Sequence, residues 1–389
     1  MLTPFREEHE HFRKTVRQFA EKELAPYADE WEEAEIFPNE IFKRAGELGI
    51  FGAHYPESVG GAGGDFWFSV VKSEELPRCR SAGVSMALLV QADMATPVIN
   101  DLGTKEQKEE VLTPVLRGEK IIALGVSEPN AGSDVAAIQT VAKRDGDDYI
   151  INGAKTYITN GCRADWVTML VKTKPEAGAH GCSFFLIPTK TKGFSVSKKL
   201  KKIGNHASDT AELSFEDMRI PKRYLLGEEN QGFMYLMQNF QSERIVGCSS
   251  SVSGAQLMIE GAIAYGKDRV AFGKPIIKRE YWQHKFVDLT AKLEAARALV
   301  YKGCAEYNDE KFVKKGPLSF DTVKLISLAK IFTGDTISEI ADQCLQFHGG
   351  AGYTDEYHIS RAWRDSRLFR IGAGTTETLR YYTAKLMGL

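Results

Sequence analysis

The hydrophobic period of this chain changes twice, and that constrains its fold more than any other feature. Through residue 119 the apolar residues recur at helical spacing. Phe12, Val16, Phe19, Ala20 and Leu24 fall at i, i+4, i+7, i+8 and i+12, and Pro26 follows them. Pro38 opens a second helical segment with Ile41, Phe42 and Ala45, closed by Gly49. Residues 65–76, 82–102 and 105–116 also read as helices. Near Lys120 the composition shifts to short segments rich in Val, Ile, Thr, Phe and Tyr, separated by turn residues: 121–126, 135–144, 148–158, 164–173, 181–188, 193–200 and 209–219. From Gly232 the helical period returns, with long amphipathic runs at 289–308 and 318–348 and a last helix from about Thr376. The reading is an α+β multidomain chain: helices over 1–119, seven or eight short strands over 120–231, and helices over 232–389.

Within the β segment, residues 123–161 read ALGVSEPNAGSDVAAIQTVAKRDGDDYIINGAKTYITNG. Pro129 and Gly132 make 127–134 a loop, since neither extends a helix or a central strand. Its hydroxyls, carboxylates and backbone N–H groups suit a planar heteroaromatic ring or a phosphate. Strand alternation puts Tyr157 and Thr159 on one face. On spacing alone these are two loops of a β domain.

Composition removes several function classes. The 389 residues carry a formal net charge of −2, which leaves no electrostatic footprint for nucleic acid. Six scattered cysteines without a C-x-x-C point to a reducing compartment with inert thiols. The eight histidines show no metal spacing, so no metal is expected. No apolar run reaches the roughly 20 residues a membrane span needs, so no span is expected. The N-terminal residues MLTPFREEHEHF have neither a secretory nor a transit-peptide character, so the expected compartment is the cytoplasm. The glycine cluster at 60–64 has no following Gly-Lys-Ser/Thr and reads as an ordinary mobile loop. The basic run at 198–202 reads as a solvated surface.

"EPNAGSD" followed by "YIINGAKTYITNG" closely resembles the acyl-CoA dehydrogenase family of flavoproteins. The resemblance continues through "GNHASDTAELSFEDMRIP", "RVAFGKPI", "FHGGAGYTDEYHISRAWRD" and "IGAGTTETLR", in the family's order and over essentially the whole chain. It implies an N-terminal α-helical domain, a middle β-barrel-like domain and a C-terminal four-helix bundle. It also implies FAD, an acyl-CoA substrate, electron-transfer flavoprotein as electron acceptor, and a homo-oligomer, commonly a tetramer. In that resemblance Val126, Ser127, Ser133, Tyr157 and Thr159 contact the flavin or its pyrophosphate, with Ser133 also near substrate. Ser127 and Thr159 would hydrogen-bond the ring and stabilise its negative charge. The family usually has Trp where this chain has Tyr157. Arg269 and Phe272 match positions that reach a neighbouring subunit's FAD, and the Thr expected between them is Ala271. Gln346, Gly349 and Gly350 match the segment that approaches the adenosine pyrophosphate; Gly349-Gly350 equally suits a helix C-cap. Thr375 and Glu377 match further FAD contacts.

Desaturating a thioester requires a base for the α-proton and an acceptor for the β-hydrogen. The common family position for the base glutamate, before the glycine of the C-terminal "GT", is Ala373 in Gly372-Ala373-Gly374-Thr375. A second pattern, in isovaleryl- and long-chain-type members, places the base in an "ER" pair on the first C-terminal helix, and here that pair is Glu243-Arg244. The stripe Phe233, Leu236, Met237, Phe240 continues to Glu243, which puts a carboxylate on a face expected to be buried. Arg244 would orient Glu243 or bind the CoA arm. Gly372, Ala373 and Gly374 would line the acyl site, and their small size leaves room for a branched, cyclic or longer chain. Two further readings stay open: an oxygen-reactive oxidase or monooxygenase on the same fold, and a non-catalytic flavoprotein scaffold. Purified protein is expected to be yellow. Denaturation followed by chromatography should release one FAD per chain; FMN, or no flavin after supply of FAD, would contradict this reading.

Overall fold

The computed structural model describes residues 4–389. Residues 1–3, part of the N-terminal stretch read above for a targeting leader, lie outside the described residues. Eight short helices come first: α1 (Glu7–Gln18), α2 (Ala28–Ala34), α3 (Glu40–Glu47), α4 (Trp67–Glu75), α5 (Ala82–Leu89), α6 (Pro97–Leu102), α7 (Lys105–Gln107) and α8 (Thr113–Leu116). The periodic residues Val16, Phe19, Ala20 and Leu24 are buried as their spacing predicts, although the chain widens into a π-helical turn over Phe19–Leu24. The expectation of a mobile loop at 60–64 is corrected. The Ala62, Gly63 and Gly64 N–H groups donate to Gly52, Tyr55 and Ala53 carbonyls at 3.0, 2.8 and 3.0 Å. A Cβ on Gly61 would stand 2.1 Å from the Tyr55 oxygen, so close backbone packing, and not mobility, is what requires glycine there.

Ala82–Leu102 is long and apolar enough to cross a membrane, with a window hydropathy of 1.4, which corrects the reading that no such run exists; 83% of that window is buried inside the fold. α5, a π turn over Val90–Met94 and α6 occupy the stretch.

Eight strands follow: β1 (Ile122–Gly125), β2 (Val141–Asp145), β3 (Asp148–Thr159), β4 (Trp166–Lys172), β5 (Cys182–Pro188), β6 (Phe194–Lys199), β7 (Thr210–Pro221) and β8 (Leu225–Leu226). The strand expected from 135 begins only at Val141, because Val135–Ala137 forms a 3-10 turn. The sheet order is β6-β7-β3-β2-β4-β5-β8, with β1 pairing parallel to β4. Among the described residues the strand path ends at β6 and β8, and this sheet is the middle β part that the sequence predicts.

The C-terminal part contains α9 (Gly232–Asp268), a two-stranded hairpin of β9 (Val270–Ala271) and β10 (Lys274–Pro275), then α10 (Glu280–Asn308), α11 (Phe320–His348), α12 (His358–Ser366) and α13 (Thr376–Leu386). α11 packs against α9, α10, α12 and α13. Close approach in this bundle is made by Gly266 of α9, where a Cβ would lie 2.4 Å from Phe347 of α11, and by Gly303 of α10, where it would lie 3.0 Å from Ile245. Gly247 of α9 admits the Phe369 ring, and Gly254 has open space around it.

Buried carboxylates tie the three parts together. Glu32 accepts from Ser81 Oγ at 2.6 Å and from the His206 and Ala207 N–H groups at 3.2 and 3.3 Å. Asp365 accepts from the Asn205 and Ala82 N–H groups at 2.6 and 3.3 Å. Burial, with Glu32 nearby, pushes the Asp365 carboxyl up to about 7.

One further pair sits inside the β part. Lys155 is 0% exposed, and its Nζ donates to the Val126 carbonyl at 2.9 Å and to Glu128 Oε1 at 2.8 Å. Burial pulls the lysine down to about 8 despite the carboxylate. Lys155→Met would leave Glu128 buried without its cation, at a cost of about 3–5 kcal/mol. Denaturant unfolding should show that loss, and Lys155→Met/Glu128→Gln should recover part of it. An unchanged midpoint for the single variant would contradict this.

Candidate active site

The two loop segments of the β part are held side by side. The Ser127 carbonyl accepts from the Thr156 N–H at 2.9 Å, and Lys155 fastens Val126 and Glu128 from below. Glu128 also receives the Gln139 and Thr140 N–H groups at 2.5 and 3.0 Å, which fixes the far end of its loop. Between Lys155 and Ile158, β3 shifts register against β7, and Tyr157 takes φ 61°. A left-handed aromatic residue is sterically costly and uncommon. The bulge re-aims its side chain: Tyr157 is 71% exposed between the buried Thr156 and Ile158. Thr159 is half-buried, and Ser133 is exposed on the loop. The result is a rigid rim bearing an exposed ring and hydroxyls, a donor set that fits a planar heteroaromatic cofactor.

Glu243 lies on α9, whose fully buried face is formed by Leu236, Asn239, Ser242, Ile245, Val246 and Ser249. That corrects the expected stripe: Phe233, Met237 and Phe240 are only half-buried, and Glu243 stands at the edge of the packed face. α9 is anchored there by Asn239 Nδ2, which donates to the Met94 carbonyl at 2.9 Å. The Glu243 side chain is half-buried overall, but its Oε2 is buried and has no hydrogen-bond partner. Burial raises the carboxyl to about 7, with Arg244 and Lys330 pulling the other way.

Arg244 does not pair with Glu243. Its Nε donates to the Ala373 carbonyl at 3.0 Å, and its guanidinium lies 5.5 Å from the centre of the Phe240 ring. Lys330, on α11, donates to the next carbonyl, Gly374, at 2.7 Å. Two cations thus grip consecutive carbonyls of the loop at 372–375, where Ala373 has φ 55° and Gly374 φ 92°. Thr375 then caps α13 by accepting from the Thr378 N–H at 3.2 Å. Glu377 is exposed, and its own backbone N–H holds its carboxyl below the usual range. That suits a helix start and makes it a weak base.

The structure therefore brings Glu243, Arg244, Gly372, Ala373, Gly374 and Thr375 together. It places the rest of the predicted set elsewhere. Arg269 follows the end of α9, about 39 Å along the helix from Glu243 at 1.5 Å per residue. Phe272, 96% exposed, is in the adjoining hairpin turn. The Tyr265 hydroxyl donates to the His348 carbonyl at 3.3 Å, which links that end to exposed Gln346, Gly349 and Gly350. A Cβ on either glycine would meet nothing within 4 Å, and Gly349 has φ 60°. The sequence reading missed Lys330, Lys155 and Glu128. The signal for Lys330 was a lone lysine within the apolar run ISLAKIF.

Sequence profiles described as Acyl-CoA dehydrogenase, N-terminal domain, middle domain and C-terminal domain match residues 6–119, 123–218 and 230–387. The chain belongs to the acyl-CoA dehydrogenase family. A rat protein named long-chain specific acyl-CoA dehydrogenase, mitochondrial, is 39% identical over 98% of this chain and 86% of its own length. A short-chain specific acyl-CoA dehydrogenase of Clostridium acetobutylicum is 37% identical over 95% of each chain. A glutaryl-CoA dehydrogenase from Mycobacterium smegmatis, solved in complex with FADH2, superposes with a TM-score of 0.90 at 29% identity, covering 99% of this chain and 96% of the other. This chain is thus an FAD-dependent oxidoreductase acting on acyl-CoA.

The Glu243 carboxyl generates a pH expectation. Proton abstraction needs the ionised form, so kcat/KM should fall as pH drops through about 7. A steady-state profile whose midpoint lies in the ordinary glutamate range, about 4, would place the base elsewhere.

Proposed function

We propose that this chain desaturates branched, cyclic or medium- to long-chain acyl-CoA thioesters, with Glu243 as the base. The observation that carries the reading is a buried carboxylate oxygen with no partner, beside a loop that has alanine where the common family base would stand. A carboxylate that is neither paired nor hydrogen-bonded keeps its lone pairs for an incoming proton. When bound, FAD supplies the two-electron acceptor for the β-hydrogen. Glu243 takes the α-proton and becomes a neutral acid as the Cα–Cβ bond becomes double. Ser127 and Thr159 would donate to the ring of a bound flavin from the rim, and Tyr157 would lie beside it. Val126 and Ser133 belong to the same rim, and Thr375 and Glu377 to the start of α13. The subgroup is that of the isovaleryl- and long-chain-type enzymes.

The long separation of Arg269, Phe272, Gln346, Gly349 and Gly350 from Glu243 supports a role for them at the FAD of a neighbouring chain. A homotetramer, arranged as a dimer of dimers, is the assembly proposed. Electrons leave to an electron-transfer flavoprotein. Gly372 and Ala373 leave volume at the acyl wall, and each methylene that fills it adds about 0.8 kcal/mol. The named relatives include both long-chain and short-chain specific enzymes, so chain length rests on that wall.

Anaerobic stopped-flow reduction tests the base. Glu243→Gln should keep FAD and bind acyl-CoA, yet reduce its flavin slower by on the order of 10²–10⁴-fold. Reduction near the wild-type rate would refute the assignment. An acyl-CoA panel should show higher kcat/KM for branched or longer chains than for butyryl-CoA, with reoxidation faster by electron-transfer flavoprotein than by air. A preference for butyryl-CoA would overturn the substrate class.

A further inference from the structure

Lys330 has a setting that packing does not explain. It is 0% exposed, in the middle of α11, between buried Ile326, Ala329 and Thr333. Among the described residues its ammonium makes no ion pair with a carboxylate. Its contacts are the Gly374 carbonyl at 2.7 Å and the face of Phe369, 5.3 Å from the ring centre. Phe369 in turn fills the notch at Gly247, one turn of α9 beyond Glu243. A buried ammonium without a counter-charge is costly, and an aliphatic side chain would fill the space more cheaply. The charged and titratable groups acting on it come from every side of the site: Glu243, Arg244 and Cys248 on α9, and Glu377 on α13. Glu243 is the buried carboxylate among them, and Lys330 and Arg244 are the two cations that act on it.

We propose that Lys330 is a positioning residue with two linked tasks: it pins the left-handed turn at Ala373–Gly374 through the Gly374 carbonyl, whose partner carbonyl is held by Arg244 next to Glu243, and its charge partly offsets the burial that favours the neutral Glu243 carboxyl. Arg244 grips the adjoining carbonyl from the opposite helix, so the turn is clamped between α9 and α11. The clamp spends both cations on backbone carbonyls and leaves Glu243 Oε2 free. A direct ion pair would occupy that oxygen. This arrangement favours the carboxylate through space without blocking the atom that must accept a proton. The inference rests on Glu243 being the base.

The test separates charge from hydrogen bond in FAD-loaded enzyme. Lys330→Arg keeps both. Lys330→Gln keeps an N–H donor for Gly374 and removes the charge. Lys330→Met removes both. The readout is the pH titration of the Glu243 carboxylic C=O band by difference infrared spectroscopy, assigned by its loss in Glu243→Gln. Removing a nearby cation disfavours the carboxylate, so the midpoint should rise by about one pH unit in Gln and Met. It should stay near wild type in Arg. Acyl-CoA reduction of the flavin should shift its pH profile in the same direction. If Met fails to fold, judged by flavin content and melting temperature, Gln carries the test. An unchanged midpoint in folded Lys330→Gln overturns the inference. A shifted midpoint together with wild-type reduction by Glu243→Gln would leave the Lys330–Glu243 coupling standing and remove Glu243 as base.

Discussion

The rim formed by 126–140 and the end of β3 depends on one buried ion pair, Glu128 with Lys155. Two charges out of water are tolerated only when all their hydrogen-bonding capacity is used. Here the lysine reaches Val126 as well as Glu128, and the carboxylate receives two backbone N–H groups from the far end of its own loop. The pair makes 126–140 and the end of β3 a single body. Given that body, the bulge at Tyr157 becomes affordable, and an aromatic ring stays exposed where it would otherwise fold inward. The strain at φ 61° sits at the register shift that follows Lys155.

The turn at 372–375 uses the same physics with the roles divided. Two cations, Arg244 and Lys330, satisfy themselves on neighbouring carbonyls of one turn and leave the one buried carboxylate unpaired. An unpaired buried carboxylate is destabilising, and that cost is what raises its proton affinity toward neutrality. The helix that carries it is held by polar contacts to the π turn over Val90–Met94 and by the closely packed Gly303. Glu32 and Asp365 meanwhile lock the helical and sheet parts to each other.

Much of this was legible in the residues. The α, β, α succession followed from period alone, and the Glu243-Arg244 pair and the small residues at 372–374 stood out by their motif. Other features were not. The 3-10 turn at Val135–Ala137 reads as strand because its residues have strand propensity, and only the pairing of Val141 onward shows where the ladder begins. The glycines at 60–64 look like a flexible loop, since sequence does not reveal that the Tyr55 carbonyl lies against them. The stripe on α9 pointed to Glu243, yet only Leu236 of that stripe is buried.

By itself the sequence determined the order of structural classes, the family, the cofactor and the candidate base, because period, turn chemistry and short motifs are local properties of the chain. Tertiary structure alone decided which charges pair. Arg244 was expected at Glu243 or at the CoA arm and is found on Ala373; Lys330, 87 positions after Glu243 in the chain, shares its surroundings. Electrostatic partners are set by distance in space and by desolvation, and neither is encoded at any fixed spacing along a chain.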